Sequence, residues 1–210
     1  MQNVEFKLSK ADVRAYASAN KYATMMFHGA SDDYVSSRCL ILNVLFTGFI
    51  SYSYSIEKFL KAIIFLETGK QTTLRNQDKH NPYLLKQELH AKKDYGLNEY
   101  DDLLKKLFGH FQHRYFDNKY TGGLLGTDAL DKMDALWIHL FETIPFPTEV
   151  KYRLIFPSHF FEENALKYFP HYRLWATRDN RALESKLGKM EDTYLKVKHH
   201  LYPSQKTANE

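Results

Sequence analysis

SDDYVSSRCLILNVLFTGFISYSYSIEKFLKAIIFLETG, from Ser31 to Gly69, is the stretch on which the fold turns. Asp32 and Asp33 suit a helix N-terminus, where the dipole favours negative charge, and Gly69 suits a C-cap. No Pro interrupts the interval, so the spacing predicts one helix of about thirty residues, well beyond the usual length. Its apolar residues surround the axis between Leu40 and Ile50. Further on they narrow to Ile56, Phe59, Leu60 and Ile63, with Glu57, Lys58 and Lys61 opposite. A helix dry all round at one end and wet on one face at the other reads as the spine of a bundle. The most apolar window, Cys39 to Ile50, is twelve residues long and contains Asn43, Thr47 and Gly48. A membrane span needs about twenty apolar residues, so this is expected to be a core helix of a soluble protein with no membrane partner.

Outward from the spine, helix punctuation organises the rest. Ser9 with Asp12 makes a capping-box-like start for a helix through Tyr16, Ala19, Ala23 and Phe27, ending near Gly29. After a polar loop, Asn81-Pro82 opens a helix that closes by Gly96. Asn98 is expected to cap another, with Tyr100, Leu103, Leu104, Leu107, Phe108 and Phe111 inward, running to about Asn118. Thr127 or Asp128 begins a further helix, with Leu130, Met133, Leu136, Trp137 and Leu140 at helical spacing, stopped by Pro145 and Pro147. The simplest architecture is all-α: an antiparallel helical bundle over residues 1–145. Residues 146–203 read as a helical extension packed on it. Within that extension 149–156 fits a strand or a helix, Ser158 is placed to cap a helix through Tyr168, and Asn180 to Leu201 reads as a charged helix. Residues 204–210 read as a loose tail.

Composition narrows the function classes. With 44% hydrophobic and 26% charged residues, and 15 Phe and 15 Tyr among 210, the chain has a globular make-up and can bury a sizeable core. A net charge of +4 tolerates nucleic acid without demanding it. The single cysteine, Cys39, cannot form an internal disulfide and lies in an apolar run. It is expected to be a buried thiol in a reducing compartment, hence a cytoplasmic protein. The first residues lack the basic-then-apolar pattern of a secretory signal.

The familiar catalytic kits are missing: there is no Gly-rich phosphate loop, no His-Glu-x-x-His and no Gly-x-Ser-x-Gly. His110 with His113, and His199 with His200, lack the second ligand pair that helical metal sites use, so no metal or cofactor is expected. One helical face does stand out. His110, His113, Arg114 and Asp117 fall at i, i+3, i+4 and i+7 on one stripe, with Tyr115 and Phe116 adjacent. Such a stripe suits RNA or nucleotide phosphate; an exposed face with an Arg114–Asp117 ion pair is the plainer reading. On the spine, Glu57 and Lys61 form an i, i+4 pair that gains interest if it shares a groove with other polar groups. Among candidate RNA contacts, Arg114 with His110 and His113 is preferred to the basic run Lys196 to His200, because it projects from a helix whose other face is committed to the core.

Four ordered pieces resemble the HEPN domains: Ser55-Ile-Glu57-Lys-Phe-Leu-Lys61-Ala-Ile, then Thr68-Gly69-Lys70, then His80-Asn-Pro-Tyr-Leu-Leu85, then Arg114-Tyr115-Phe-Asp117. The likeness covers roughly residues 35 to 144. It implies a helical bundle, homodimers, and a place in a prokaryotic-type stress, toxin–antitoxin or defence system. It further implies one of two roles. The first is a nucleotide-, RNA- or partner-binding module, the partner being nucleotidyltransferase-like or an antitoxin. The alternative is a metal-independent endoribonuclease, an RNA-cleaving toxin, using an Arg-x4-6-His motif. Arg75-Asn-Gln-Asp-Lys-His80 matches that motif, with His80 expected to transfer a proton and Arg75 to grip the phosphate. The motif sits in the loop after the spine helix, whereas in the ribonucleases it usually comes late in the bundle. At that late position Arg114 has no following His. His80 is also placed simply to brace the helix start at Asn81-Pro82, and a non-catalytic helical scaffold is the third reading.

Overall fold

The computed structural model describes residues 6–43, 45, 47–113, 125, 129–155 and 170–203. Among them every regular element is helical and none is a strand. The helices are α1 (Lys10–Ala19), α2 (Lys21–Leu42), α3 (Thr47–Thr68), α4 (Pro82–His90), α5 (Asp101–His113), α6 (Leu130–Thr143), a single turn α7 (Thr148–Val150), α8 (Pro170–Thr177) and α9 (Arg181–Leu201). Short 3₁₀ turns at Asp78–His80 and Asn98–Tyr100 lead into α4 and α5, and a π-helical turn, Lys151–Ile155, follows α7. No helix among the described residues is long and apolar enough to cross a membrane.

The spine differs from the expected single helix: it is a hairpin. Asn43 ends α2 by turning its side-chain amide back to Cys39 O at 2.7 Å, and α3 starts at Thr47. The apolar run Cys39–Ile50 therefore spans a turn, not a dry helix, and Leu45 is half exposed while Cys39 is half-buried instead of buried. The two helices run antiparallel. Ser55 Oγ donates to Ala30 O at 2.6 Å, Tyr34 meets Tyr52, and Ile41 meets Gly48, so numbers rise on one helix as they fall on the other. Gly48 permits the closest approach: a Cβ there would come within 2.6–2.9 Å of Ile41 and of Ser37 O.

The other misplaced boundary lies upstream. Asn20, whose side chain bonds Tyr16 O at 3.0 Å, ends α1, and α2 runs straight through Gly29. A Cβ at Gly29 would press on Lys58 at 3.1 Å. That glycine serves helix packing, and Asp33, expected at an N-terminus, lies mid-helix and pairs with Lys58 at 2.6 Å. The expected starts at Ser9 and Asn81 hold. Ser9 and Asp12 form a full capping box, and Asn81 Oδ1 accepts from the N–H groups of Tyr83 and Leu84. α4 ends at His90, earlier than Gly96, and Asn98 opens a 3₁₀ turn instead of capping a helix. The segment after Pro147 is helical through Ile155, and the helix expected from Asn180 to Leu201 forms as α9, with Asn180 as its cap. The helix expected from Ser158, and the continuation of α5 to Asn118, lie outside the described residues.

The core is one continuous cluster from Val13 to Leu201. Phe27 meets Phe59 edge-on at 4.6 Å, Phe59 meets Trp137 edge-on at 5.6 Å, and Tyr34 stacks on Trp137 at 4.3 Å. Each such aromatic, fully buried, contributes about 1.5–3 kcal/mol by area alone. A polar network runs through the same core. Arg38, 0% exposed, reaches Asp134 with Nη1, Trp175 O with Nε at 3.0 Å and Arg178 O with Nη2. Tyr34 OH donates to Asp134 Oδ1 at 2.9 Å and accepts from Asn180 Nδ2 at 2.7 Å. Asn180 Oδ1 in turn caps α9 through the Leu183 N–H. One cation from α2 thereby ties α6 and the turn between α8 and α9 together.

Candidate functional site

α3 places Glu57 and Lys61 one turn apart, and both are at least nine-tenths buried. Their burial follows from what covers that face of α3: α4, the turn before it, and α5. His80 ends the 3₁₀ turn, immediately before the Asn81-Pro82 cap, so the chain direction at that point is tightly held. Asn76 takes a left-handed backbone (φ 51°), which Asn tolerates better than most residues. That bend brings the chain from the exposed Arg75 loop round to His80.

Three groups converge. Glu57 Oε1 accepts from Lys61 Nζ at 2.5 Å and contacts His80 Nδ1 at 2.9 Å. Glu57 Oε2 is buried and has no hydrogen-bond partner among the described residues. The imidazole lies flat on Phe111 of α5, with centroids 5.4 Å apart and planes 17° apart. Phe111 is supported in turn by Phe108, nearly parallel at 6.1 Å, and by the edge of Tyr54 at 5.5 Å. The His80 side chain keeps about a third of its surface open (32%). Burial first, and the Glu57 charge second, push the Tyr22 phenol up from its ordinary range.

This geometry has a definite chemical consequence. A carboxylate accepts and does not donate, so the proton of neutral His80 sits on Nδ1 and the lone pair on Nε2. One ring face lies on Phe111 and the Nδ1 edge on Glu57, and Nε2 has no hydrogen-bond partner among the described residues. A carboxylate-oriented imidazole is the arrangement a general base needs. Lys61 spends its ammonium on Glu57.

The expected site residues separate into groups. Glu57, Lys61 and His80, taken from two different motifs, form one cluster. Arg75 lies five residues before His80 on the exposed loop, and its guanidinium has no polar partner among the described residues. His110 departs from the expected surface stripe. It is 4% exposed, stacks on Phe49 at 4.8 Å and accepts the Leu125 N–H on Nε2 at 2.8 Å. Its neighbours along α5, Leu103, Leu107 and Phe111, are all buried, so the buried face is wider than the leucine pattern implied, and Phe108 is only half-buried. Arg114, Tyr115 and Asp117, and the side chain of His113, lie outside the described residues.

Sequence reasoning passed over two features. Phe111, taken as core, is the surface that holds the His80 ring. Arg38 and Asp134 were not singled out, although one charge among Tyr34, Val35 and Ile41, and one between Met133 and Leu136, mark buried ions. Among the described residues no three His, Cys, Asp or Glu side chains gather so as to hold a metal ion. Comparison with models of protein families, with curated proteins and with solved structures finds no match to this chain.

Proposed function

We propose that this chain is a HEPN-like module that acts on RNA without a metal, with His80 as its proton-transfer group. The observation that carries the reading is the Glu57–His80 contact: a buried carboxylate fixes the tautomer and orientation of a partly open imidazole. In this scheme Nε2 takes the proton of an RNA 2′-hydroxyl while the 2′-oxygen attacks the adjacent phosphorus. The bond from phosphorus to the 5′-oxygen breaks, and the resulting imidazolium returns its proton to that oxygen, leaving a cyclic phosphate and a 5′-hydroxyl. Arg75, on the exposed loop, supplies the cation for the phosphate oxygens. Two copies pairing, as the resemblance implies, would bring two such loops to one strand, and light scattering at micromolar concentration tests that pairing.

A second reading is a binding module for RNA, a nucleotide or a protein partner. Two observations favour it: the cation of the buried cluster is engaged by Glu57, and Arg75 lies on the exposed loop with no polar side-chain partner among the described residues. The two readings separate in one experiment. The chain is incubated with a single-stranded oligoribonucleotide in the presence of a chelator. Cleavage to a cyclic phosphate, lost by about 10²–10⁴-fold in His80→Ala and to a smaller degree in Glu57→Gln, supports the catalytic reading. Saturable binding without cleavage supports the module. Absence of both overturns the assignment to RNA.

A further inference from the structure

Glu57 and Lys61 are the start of a longer stripe. Ile64 and Thr68 follow at i+7 and i+11 on the same face of α3, and there the helix borders a cavity of about 460 Å³. The cavity lies between the end of α3, the loop 70–73 and the last turn of α4, with Ile64 and Leu89 as its apolar floor. Gly69 takes a left-handed backbone (φ 69°), and the turn there leads from α3 into Lys70 on the wall.

The polar groups around the cavity are unequally occupied. Glu88 is engaged by Thr72 Oγ1 and by the N–H and hydroxyl of Thr73, at 2.7 and 2.9 Å, which clips the loop onto α4. Glu67 is engaged by Tyr95 OH and, at 3.5 Å, by Lys93. The exposed side chains of Lys70, Lys92 and Gln71 have no hydrogen-bond or ion-pair partner among the described residues, although Lys92 feels the charge of Glu88. Both acids face protein donors, and two ammonium groups and a carboxamide are left at the cavity. Free donors over an apolar floor, in a space of this size, suit a small organic anion.

We propose that this cavity binds a phosphomonoester, its oxygens taken by Lys70, Lys92 and Gln71 and its organic part resting on Ile64 and Leu89. The inference rests on the RNA-directed reading for the origin of that phosphate. From Glu57 to Ile64 the helix rises about 10 Å, a distance that a short length of single strand can span. The phosphate comes from a free mononucleotide or from the 5′ end of an RNA whose body reaches His80.

The test is calorimetric titration of the full chain with adenosine 5′-monophosphate, and with one oligoribonucleotide carrying either a 5′-phosphate or a 5′-hydroxyl. The expected result is saturable binding of the mononucleotide, weakened about tenfold or more in a Lys70→Ala/Lys92→Ala double variant that keeps its helical circular dichroism. His80→Ala should leave that affinity unchanged while it removes cleavage, so failure at the cavity and failure at His80 are read separately. A 5′-phosphorylated RNA that binds more tightly than both its 5′-hydroxyl form and the mononucleotide identifies an RNA end as the ligand. Equal affinity of the phosphorylated RNA and the mononucleotide identifies a free phosphomonoester. No saturable binding of any phosphorylated probe, or unchanged binding in the double variant, overturns the proposal.

Discussion

Two buried charge clusters stand on the α2–α3 hairpin, and they differ in how completely they are satisfied. Around Arg38 and Asp134 both carboxylate oxygens have donors, the guanidinium reaches three acceptors, and no member is more than 1% exposed. Around Glu57, among the described residues, one oxygen takes two donors while the other takes none, and the imidazole is a third open. A closed network stabilises and specifies a fold, because a ligand could enter it only by breaking it. An incomplete one at the surface retains unspent donor or acceptor capacity, which a ligand can use.

The largest expected effect is on the closed side. Asp134→Ala leaves Arg38 charged without its carboxylate in the core and should cost about 3–5 kcal/mol in urea unfolding. A loss under about 1 kcal/mol would mean that this network does not hold the C-terminal helices. The second effect is a pH dependence. Burial, only partly offset by Arg38, raises the Asp134 carboxyl to about 6, above the unfolded value of about 3.9. The native state therefore holds this proton more tightly, so the stability it contributes is fully present below about pH 4 and is lost as pH rises through about 6. The total is about 3 kcal/mol. Asp134→Asn should flatten that slope in thermal unfolding measured across the interval, and an unchanged slope would assign it to other groups.

Smaller effects follow on either side of the comparison. Asn180→Ala removes the α9 cap together with a bond to Tyr34 and should cost about 1–2 kcal/mol, with faster amide exchange concentrated in α9. Exchange that rises evenly over the whole chain would show that the cap has no separate role. On the open side, His80→Ala loses one ring stack and one hydrogen bond, about 1 kcal/mol, because water replaces the part already exposed. A cost as large as that of Asp134→Ala would make His80 a core residue and erase the contrast. Arg75→Ala, on the exposed loop, should change stability by no more than about 0.5 kcal/mol, so any loss of RNA cleavage there can be read as a direct effect.

Local chemistry made much of the secondary structure legible. Ser9 with Asp12, Asn81 with Pro82, Gly69, and Asn180 each act within about four residues along the chain, so their roles are readable one after another. The breaks at Asn20 and Asn43 were not, since Asn is a weaker terminator than Gly or Pro and an apolar run conceals it. Gly29 misled for a tertiary reason: its missing Cβ makes room for Lys58 of the facing helix. At the candidate site, Glu57, Lys61 and His80 were each nameable from motif and spacing. His110 was misjudged because the residue that covers it, Leu125, comes fifteen positions later.

By itself, then, the sequence determined the all-helical class, the helix starts at Ser9, Asn81 and Asn180, and the identity of the residues able to do chemistry, because helical periodicity and capping are short-range. Only the tertiary structure decided that Glu57 would turn one oxygen to both Lys61 and His80, that Phe111 would lie under the imidazole, and that Arg38 would be closed off by α6 and the α8–α9 turn. Those pairings join positions between 4 and 140 residues apart. Their selection depends on which faces the folded chain buries together, a property of the packed whole that no local pattern encodes.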